Sequence, residues 1–580
     1  MPVISNSYAP TLRGWLTARR PRPAPWPAVE EEDTNATRHL SAGAYLDEEF
    51  CRSALREIYY RPKRIVAPSH GFDTLAVLGH CLRSRRAMTA RDTVIVGALV
   101  TAAWLSIPAL LTTLGVCLAV HVVATTAVVG RDSIRYLRDS LHFGGGHGQA
   151  ARGDSTHPRT FRRLWLENLY AQVVARVVGL ATMYVTFIAV AAVAHLGLLG
   201  DSWIGSLSVF VLAGPVTAVF LAVALCRAWS HRQLRDLKPR KATRRPVHNA
   251  RLEQIGEQLG GNTVVFSGYQ PFVGSGRVLR RWDLTQRLVV APPPLVGAAE
   301  RETESKREFA RPPFTANEIS EYVRDHIRSL ANDALPERRL PALTVHDRIF
   351  VAGTEISTLR PHSSPERVRE IIRNPTAPER HYLVCQVVSW HGELVTTVYV
   401  HFAVQGKSLY LELQVTGLLP CDERFRVVDQ VGGTAWTATF RAGLHALVAT
   451  PATVAAAPGA LARAGRDLLT IRMSGRRRST GVAQGFDYGA AIALRELGQS
   501  AEMRDHMQTQ DVIKYGRIIE RRVLAAVLDF LEQRGVDVTE YRQRSLTILS
   551  AGAVAMEGGT VNVTGDAVGT QNTTTTTGEQ

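Results

Sequence analysis

Long apolar stretches without formal charge mark the N-terminal half of the chain. Residues 94–130 contain no Asp, Glu, Lys or Arg. As one straight helix this stretch would extend about 55 Å, whereas the hydrocarbon core of a bilayer is about 30 Å thick. We therefore expect it to form two transmembrane helices in a hairpin; the alternatives are a re-entrant stretch, which would leave three spans in all, and buried core helices of a soluble protein. Two further apolar stretches, residues 169–199 and 203–226, predict a second hairpin.

Arginine residues are distributed unevenly around these stretches. They precede the first stretch at Arg83, Arg85 and Arg86, recur between the two hairpins in residues 131–163, and follow the last stretch. The short connections inside the two hairpins lack Lys and Arg. Because positive residues favour the cytoplasmic side, the pattern predicts a multi-pass plasma-membrane protein with both termini in the cytoplasm.

A basic cluster follows the last apolar stretch. It consists of Arg232, Arg235, Lys238, Arg240, Lys241, Arg244 and Arg245. Each cation near a membrane surface contributes about 1 kcal/mol of attraction to anionic lipids, so this cluster is a candidate to face lipid head groups; the alternative is that its charge marks only the cytoplasmic side of the last span. Trp229 is the sole aromatic residue nearby, and single-strand nucleic-acid binders use several aromatic stacking platforms. The lipid bilayer is therefore the predicted partner, and nucleic acid is not.

The pattern changes in the C-terminal half, where short β-prone runs and amphipathic helices replace the long apolar stretches. Residues 381–390, 393–404 and 408–416 are rich in β-branched and aromatic side chains and are separated by turn residues, which predicts three antiparallel strands. Residues 314–330 begin with a Thr/Glu capping box and carry an apolar stripe, as a helix does. Residues 511–534 predict a longer amphipathic helix.

The predicted fold class is an α-helical four-span transmembrane region plus a cytoplasmic α+β domain with an antiparallel sheet and C-terminal helices. The corresponding segments are a disordered N-terminal segment 1–40, amphipathic cytoplasmic helices 41–92, transmembrane hairpin one 93–130, a basic cytoplasmic loop 131–163, transmembrane hairpin two 164–228, a basic juxtamembrane linker 229–247, the α+β domain 248–440, a helical region 441–545, and a β-prone, Thr-rich tail 546–580.

Composition narrows the class of protein further. The 580 residues are 45% hydrophobic and 21% charged, with a formal net charge of +16, which excludes a collagen, a mucin and a wholly disordered chain. The six cysteines are far apart along the chain. Neither a CxxC redox pair nor a secreted disulfide framework is therefore predicted.

A Gly-rich loop, residues 268–276, follows a predicted strand. It lacks the GxxxxGK[ST] phosphate-binding pattern, because Arg277 rather than Lys follows Gly276. A tight turn explains the glycines. The alternative is a candidate ligand loop in which Tyr269, Phe272 and Arg277 shape a pocket.

Other candidate chemistry is sparse. His381, His391 and His401 recur at ten-residue intervals, but no carboxylate accompanies them at metal-site spacing. We therefore predict no metal and no cofactor, and the sequence identifies no catalytic residue.

Two segments resemble known families. GGTVNVTGDAVGTQN near the C-terminus resembles the Gly/Val/Asn tails of some bacterial signalling and conflict proteins. VVFSGYQPFVGSG, together with RHYLVCQVVSWHGELVTTVYVHF, is similar to an uncharacterised family of actinobacterial multi-pass membrane proteins. This resemblance implies no activity.

Two functional hypotheses remain. The first is an integral membrane protein whose cytoplasmic α+β domain acts as a partner-binding sensor or scaffold. The alternative is a membrane enzyme or transporter with an unrecognised site. The missing catalytic motifs favour the first and argue against an enzyme. The apolar face of residues 511–534 and the β-prone segment 551–572 also predict self-association or a protein partner.

Overall fold

The computed structural model describes most of the chain outside its termini and one long internal segment. The described residues are 34–105, 110, 113–117, 119, 202–237, 249–292, 307–356, 361–430, 435–476 and 486–554, apart from positions 334, 336–338, 341 and 504.

The N-terminal part of the described chain is helical. Its elements are α1 (Asn35–Leu46), α2 (Glu48–Ala54), a π-helical turn (Leu55–Tyr59), α3 (Thr74–Leu105), α4 (Ser202–Asp236) and α5 (Ala250–Leu259). Side-chain caps define the first two starts, because Thr34 accepts from the backbone of Thr37 and Asp47 accepts from the backbone of Glu49 and Phe50. An apolar cluster joins α1, α2, α3 and α5.

A six-stranded mixed sheet follows. Its strands are β1 (Thr263–Phe266), β2 (Arg277–Arg287), β3 (Leu343–Ala352), β4 (Arg380–Ser389), β5 (Leu394–Gln405) and β6 (Ser408–Leu418), in the order β1-β3-β4-β5-β6-β2. The predicted meander β4-β5-β6 is confirmed. The β5–β6 hairpin turns at Gly406 and Lys407, both with φ 56°, as a two-residue turn requires. The pair β1–β3 is parallel, so the sheet is mixed rather than purely antiparallel.

The remaining helices surround this sheet. They are α6 (Ala316–Ala331), α7 (Pro365–Arg373), α8 (Val427–Gln430), α9 (Ala435–Arg476), α10 (Leu494–Leu497), α11 (His506–Gln533) and α12 (Thr539–Val554). The predicted capping box of α6, formed by Thr315 and Glu318, is confirmed.

One face of the sheet carries the main core. Val398, Val400 and Leu411 point from neighbouring strands into a cluster that also contains Ile319 of α6 and Val523 of α11. The opposite face is buried but more polar, and its apolar part is an aromatic group of Phe272, Phe350, Tyr382 and Tyr399. The two faces of the sheet therefore differ in composition: one packs against helices in the main apolar core, and the other is more polar.

The membrane prediction is contradicted. Among the described residues, no helix is both long enough and apolar enough to cross a membrane. The predicted four-span region, the integral membrane protein built on it and its multi-pass plasma-membrane localisation are therefore wrong. Most of the second and third predicted spans lies in residues 120–201, outside the described part of the chain.

Helix α3, which contains the start of the first apolar stretch, shows why the membrane prediction failed. This helix begins at Thr74 and carries a run of charged residues, including Arg91 and Asp92, before the apolar part. Ile95 and Ala98 then pack against Val219 of α4 and Val454 of α9. Some apolar side chains of the predicted spans thus pack against other helices of the protein, whereas others on the same helices, such as Trp104 and Leu221, are exposed.

Some predicted segment boundaries overlap described elements. Helix α1 includes residues 35–40 of the segment predicted to be disordered, and α4 continues into the predicted juxtamembrane linker as far as Asp236. Helix α12 reaches Val554, within the segment predicted to be a β-prone tail. Residues 1–33, 238–248 and 555–580 lie outside the described residues.

Candidate metal centre

Three buried side chains with different donor atoms meet where α1 contacts the sheet. They are His39 of α1, Glu393 immediately before β5 and Cys421 after β6, and their nitrogen, oxygen and sulfur atoms all lie within 4.8 Å of one another. Their exposed fractions are 4%, 4% and 1%. We call these three residues, together with Asp429 and Arg495, the junction cluster.

Glu393 is aimed inward by an unusual turn between β4 and β5. Trp390, His391 and Gly392 have φ values of 53°, 54° and 82°, and a left-handed conformation costs roughly 1–2 kcal/mol for a residue with a Cβ. The indole of Trp390 donates to Asp511 at 2.9 Å, which helps to hold the turn. A Cβ on Gly392 would overlap the carbonyl oxygen of Gly71. Backbone strain of this kind is concentrated at functional sites.

Hydrogen bonds fix the orientation of the imidazole. Nδ1 of His39 lies 2.6 Å from Oε1 of Glu393, and Nε2 lies 3.0 Å from Oδ2 of Asp429. The second carboxylate oxygen of Glu393 accepts from the backbone N–H of Cys421 at 2.9 Å. Burial opposes ionisation of Glu393, but the hydrogen bond from His39 and the charge of Arg495 outweigh it and lower the pKa of Glu393 to about 2. The carboxylate is therefore ionised at neutral pH.

Arginine side chains surround these acids. Arg495, with 1% of its surface exposed, donates to the sulfur of Cys421 and to the carbonyl oxygens of Glu393 at 2.8 Å and Leu419 at 2.9 Å. Arg426 lies 3.5 Å from Glu393. Burial raises the pKa of Cys421 to about 12, so its side chain is a thiol unless a cation displaces the proton.

The donor set matches a transition metal. Histidine nitrogen, cysteine sulfur and carboxylate oxygen are the ligands of Zn²⁺ in proteins, and thiolate is a poor ligand for Mg²⁺ and Ca²⁺. A ligating histidine usually donates its other ring N–H to a carboxylate, and Asp429 occupies that position here. Nδ1 of His39 and Oε1 of Glu393 are at hydrogen-bond distance. To bind between them, an ion would have to increase the distance between these two atoms by less than about 1 Å.

The predicted ligand loop has a different arrangement. Tyr269 is fully exposed, Phe272 is buried in the aromatic group of the sheet face, and Arg277 donates to the carbonyl of Ala501. The backbone N–H groups of Gly274 and Gly276 donate to the carboxylate of Glu496 at 2.8 and 3.2 Å. The three predicted side chains therefore do not converge on a pocket. The backbone N–H groups of Gly274 and Gly276 are already used by the carboxylate of Glu496.

The other candidates from the sequence are likewise dispersed. Nε2 of His381 pairs with Asp347 at 2.8 Å, whereas Nδ1 of His401 donates to the carbonyl of His381 at 2.7 Å, and His391 lies in the left-handed turn. In the basic cluster, Arg232 and Arg235 end α4. The other five members lie outside the described residues, so the lipid-facing role stays a prediction.

A second buried acid lies on the polar sheet face. Glu412 of β6 accepts from the hydroxyl of Tyr382 at 3.3 Å and lies 3.3 Å from Arg281 of the edge strand β2. Burial raises the pKa of Glu412 above its ordinary value. At Glu412 burial outweighs the stabilisation of the charge by Arg281 and Tyr382, whereas at Glu393 the hydrogen bond from His39 and the charge of Arg495 outweigh burial.

Sequence patterns did not identify the junction cluster. Its histidine and glutamate are 354 positions apart, and its cysteine follows the glutamate by 28 positions. Ligand motifs rely on short fixed spacings, and none links these residues. The one local signal is Gly392 immediately before Glu393, which a left-handed turn requires.

The comparisons with known proteins place most of this cluster in one domain. Residues 281–563 match the AbeC-like domain family, which covers just under half of the chain. No curated protein matches the chain, and no solved structure matches it. The match fits an uncharacterised family and says nothing of actinobacterial origin or membrane topology. Residues 281–563 thus form an AbeC-like domain, which supplies Glu393, Cys421 and Arg495, whereas His39 precedes it.

Proposed function

We propose that the protein binds a transition metal ion of the Zn²⁺ class through His39, Glu393 and Cys421. The ion would fasten helix α1 to the AbeC-like domain. One observation carries the proposal: a nitrogen, an oxygen and a sulfur donor from three separate segments lie within 4.8 Å of one another, and all three residues are buried. The proposal replaces the sequence-based expectation of no metal.

Charge around the site supports this assignment in part. Glu393 is already ionised, and Arg495 beside the sulfur of Cys421 would stabilise a thiolate. Metal binding must then release the thiol proton, so the affinity should rise with pH. The competing explanation is a metal-free network in which Arg495 and Arg426 balance the carboxylates. That network is a distinct outcome of the test below.

Burial favours a structural role for the ion. The three donor residues are each less than 5% exposed, and a catalytic ion needs an open position for water or substrate. A closed site that joins an N-terminal helix to a sheet instead adds its binding free energy to folding. We therefore propose a fastening role for the ion and no metal-dependent reaction.

Metal content of the purified full-length chain tests the proposal. We expect about one zinc-class ion per chain, and Co²⁺ substitution should give thiolate-to-cobalt absorption in the near ultraviolet. Cys421→Ser should abolish that absorption and His39→Ala should lower the metal content. Cys385→Ser is the matched control, because Cys385 is equally buried but lies in the main core of the sheet rather than in the junction cluster; the metal content of this variant should equal that of wild type.

Two results would overturn the proposal. The first is wild-type protein that takes up neither Zn²⁺ nor Co²⁺ and melts at the same temperature with and without a chelator. The second is Co²⁺ absorption that persists in Cys421→Ser. The first result would establish the arginine-balanced network as the state of the junction cluster.

A further inference from the structure

Two free thiols meet where α2 packs against α3. Cys51 of α2 and Cys81 of α3 are 1% and 0% exposed, and the sulfur of Cys51 donates to the carbonyl oxygen of Cys81 at 3.4 Å. The two side chains also hydrogen-bond to each other, and this bond, together with burial, raises the pKa of Cys81 well above its ordinary value. The sulfurs are therefore neighbours although the two residues lie 30 positions apart.

The other cysteines have different surroundings. Cys385 lies in the main core of the sheet, and Cys117 lies in the apolar cluster of α3, α4 and α9. Cys421 borders the same apolar cluster as Cys51 and Cys81, but its sulfur contacts Arg495 in the junction cluster. The packing of the helices thus selects Cys81 as the sulfur partner of Cys51.

Helix α2 is suited to local opening. It has seven residues, and its outer side carries Glu49, whose side chain is 70% exposed. The π-helical turn Leu55–Tyr59 follows it directly, and such turns are rare and frequent at functional sites. Short elements at the surface open at a lower free energy than core strands do. A small uncharged oxidant can therefore reach the sulfur of Cys51 when α2 opens.

We propose that Cys51 and Cys81 form a site of reversible oxidation, at which hydrogen peroxide produces a disulfide between α2 and α3. The thiolate of Cys51 attacks one oxygen of the peroxide and becomes a sulfenic acid, while the other oxygen leaves as water after protonation. The sulfur of Cys81 then attacks the sulfenic sulfur, the S–S bond forms and a second water leaves. The two thiols lose two electrons and two protons in total, and the peroxide gains them.

The disulfide would change the stability of the N-terminal helices. In the reduced protein, α2 and α3 are joined through apolar packing in their common cluster. A covalent link between residues 30 positions apart restricts the unfolded chain and so stabilises the folded one. Oxidation should therefore raise the melting temperature by several degrees, and a dithiol reductant should reverse the rise.

Peroxide treatment of the folded full-length chain tests the proposal. The remaining thiols are then alkylated under denaturing conditions, and the protein is digested without reduction. Mass spectrometry should find two peptides joined through Cys51 and Cys81, with two hydrogens fewer than the reduced peptides together. Cys81→Ser should lose this link. Cys385→Ser is the matched control and should keep it, because Cys385 is equally buried but lies in the main core.

The measurement on wild-type protein decides the proposal even if a variant folds poorly. Complete alkylation of Cys51 and Cys81 after peroxide treatment would overturn it, and so would a link from either residue to Cys226 or Cys421 instead. A link that forms in urea but not in the folded protein would show that the two thiols are only apolar core side chains. A linked protein that melts no higher than the reduced protein would contradict the stabilising role of the disulfide.

Discussion

Arg495 and Glu496 are consecutive residues of the short helix α10, and their side chains hold two different parts of the protein. Arg495 donates into the junction cluster at the sulfur of Cys421. Glu496 accepts from the backbone of Gly274 and Gly276. One turn of helix thus connects the candidate metal centre with the Gly-rich loop that borders the polar sheet face.

Removing the buried guanidinium group of Arg495 should lower the free energy of unfolding substantially. Arg495→Leu leaves the carbonyls of Glu393 and Leu419 without their donor and removes a charge that balances the Glu393 carboxylate. Loss of one member of a buried charged network costs about 3–5 kcal/mol. We expect that loss in the free energy of unfolding measured with urea.

Arg424→Leu is the control for this experiment. The side chain of Arg424 is 73% exposed and pairs with Asp422 at the surface, so its removal should change the free energy by no more than about 0.5 kcal/mol. Similar losses in the two variants would mean that Arg495 is not anchored as described.

Two buried glutamates should give opposite pH dependence of stability. The folded-state pKa of Glu393 is lowered to about 2, so its contribution is complete above the unfolded pKa of about 4.3 and is lost as the pH falls toward 2. That contribution is about 3 kcal/mol. The pKa of Glu412 is raised by burial, so its ionisation weakens the fold as the pH rises through the raised value.

Unfolding curves of two variants between pH 2 and 7 check these signs. Glu393→Gln should lose stability relative to wild type at neutral pH and converge with it in acid. For Glu412→Gln, the difference from wild type should change with pH in the opposite direction. Parallel curves for the two variants would contradict the assigned environments.

The sequence predicts those parts of the fold that depend on local pattern. Alternation and turn residues placed β4, β5 and β6, and the capping box placed α6, because each signal lies within a few residues of what it determines. The parallel pair β1–β3 was not predicted, since no short-range pattern reports which distant strands meet. The membrane prediction failed for a related reason. The absence of charge marks an apolar stretch, but it does not distinguish lipid from another helix as the contact.

The candidate site lay beyond such patterns altogether. His39, Glu393 and Cys421 become neighbours when α1 packs on the end of the sheet, and that contact joins residues more than 350 positions apart. Glu496 likewise reaches the loop of Gly274 from 222 positions away. The self-association predicted from the C-terminal region stays a prediction.

Glycine at position 276 should be irreplaceable, whereas glycine at 406 should not. Both have positive φ, 78° and 56°. A Cβ at 276 would overlap the carbonyl oxygen of Gly417 on β6, but a Cβ at 406 meets nothing within 4 Å. We expect Gly406→Ala to cost about 1 kcal/mol from backbone strain alone and Gly276→Ala to cost clearly more. Thermal melts of the two variants measure the difference, and equal costs would show that the strand can shift to accommodate the methyl group.

The left-handed turn before Glu393 offers the last test, because its strain can be relieved without touching a donor atom. His391 is exposed and has φ 54°. Glycine adopts this conformation without steric cost, although it loses more backbone entropy on folding, so His391→Gly should raise the free energy of unfolding by about 0.5–1 kcal/mol. His326→Gly is the contrasting control and should destabilise by about 0.5–1 kcal/mol, because it lies inside α6. If the strain serves to position Glu393, the relaxed variant should also bind Co²⁺ more weakly than wild type despite its higher stability. A variant that gains stability and keeps full Co²⁺ affinity would show that the turn connects the strands and does not tune the site.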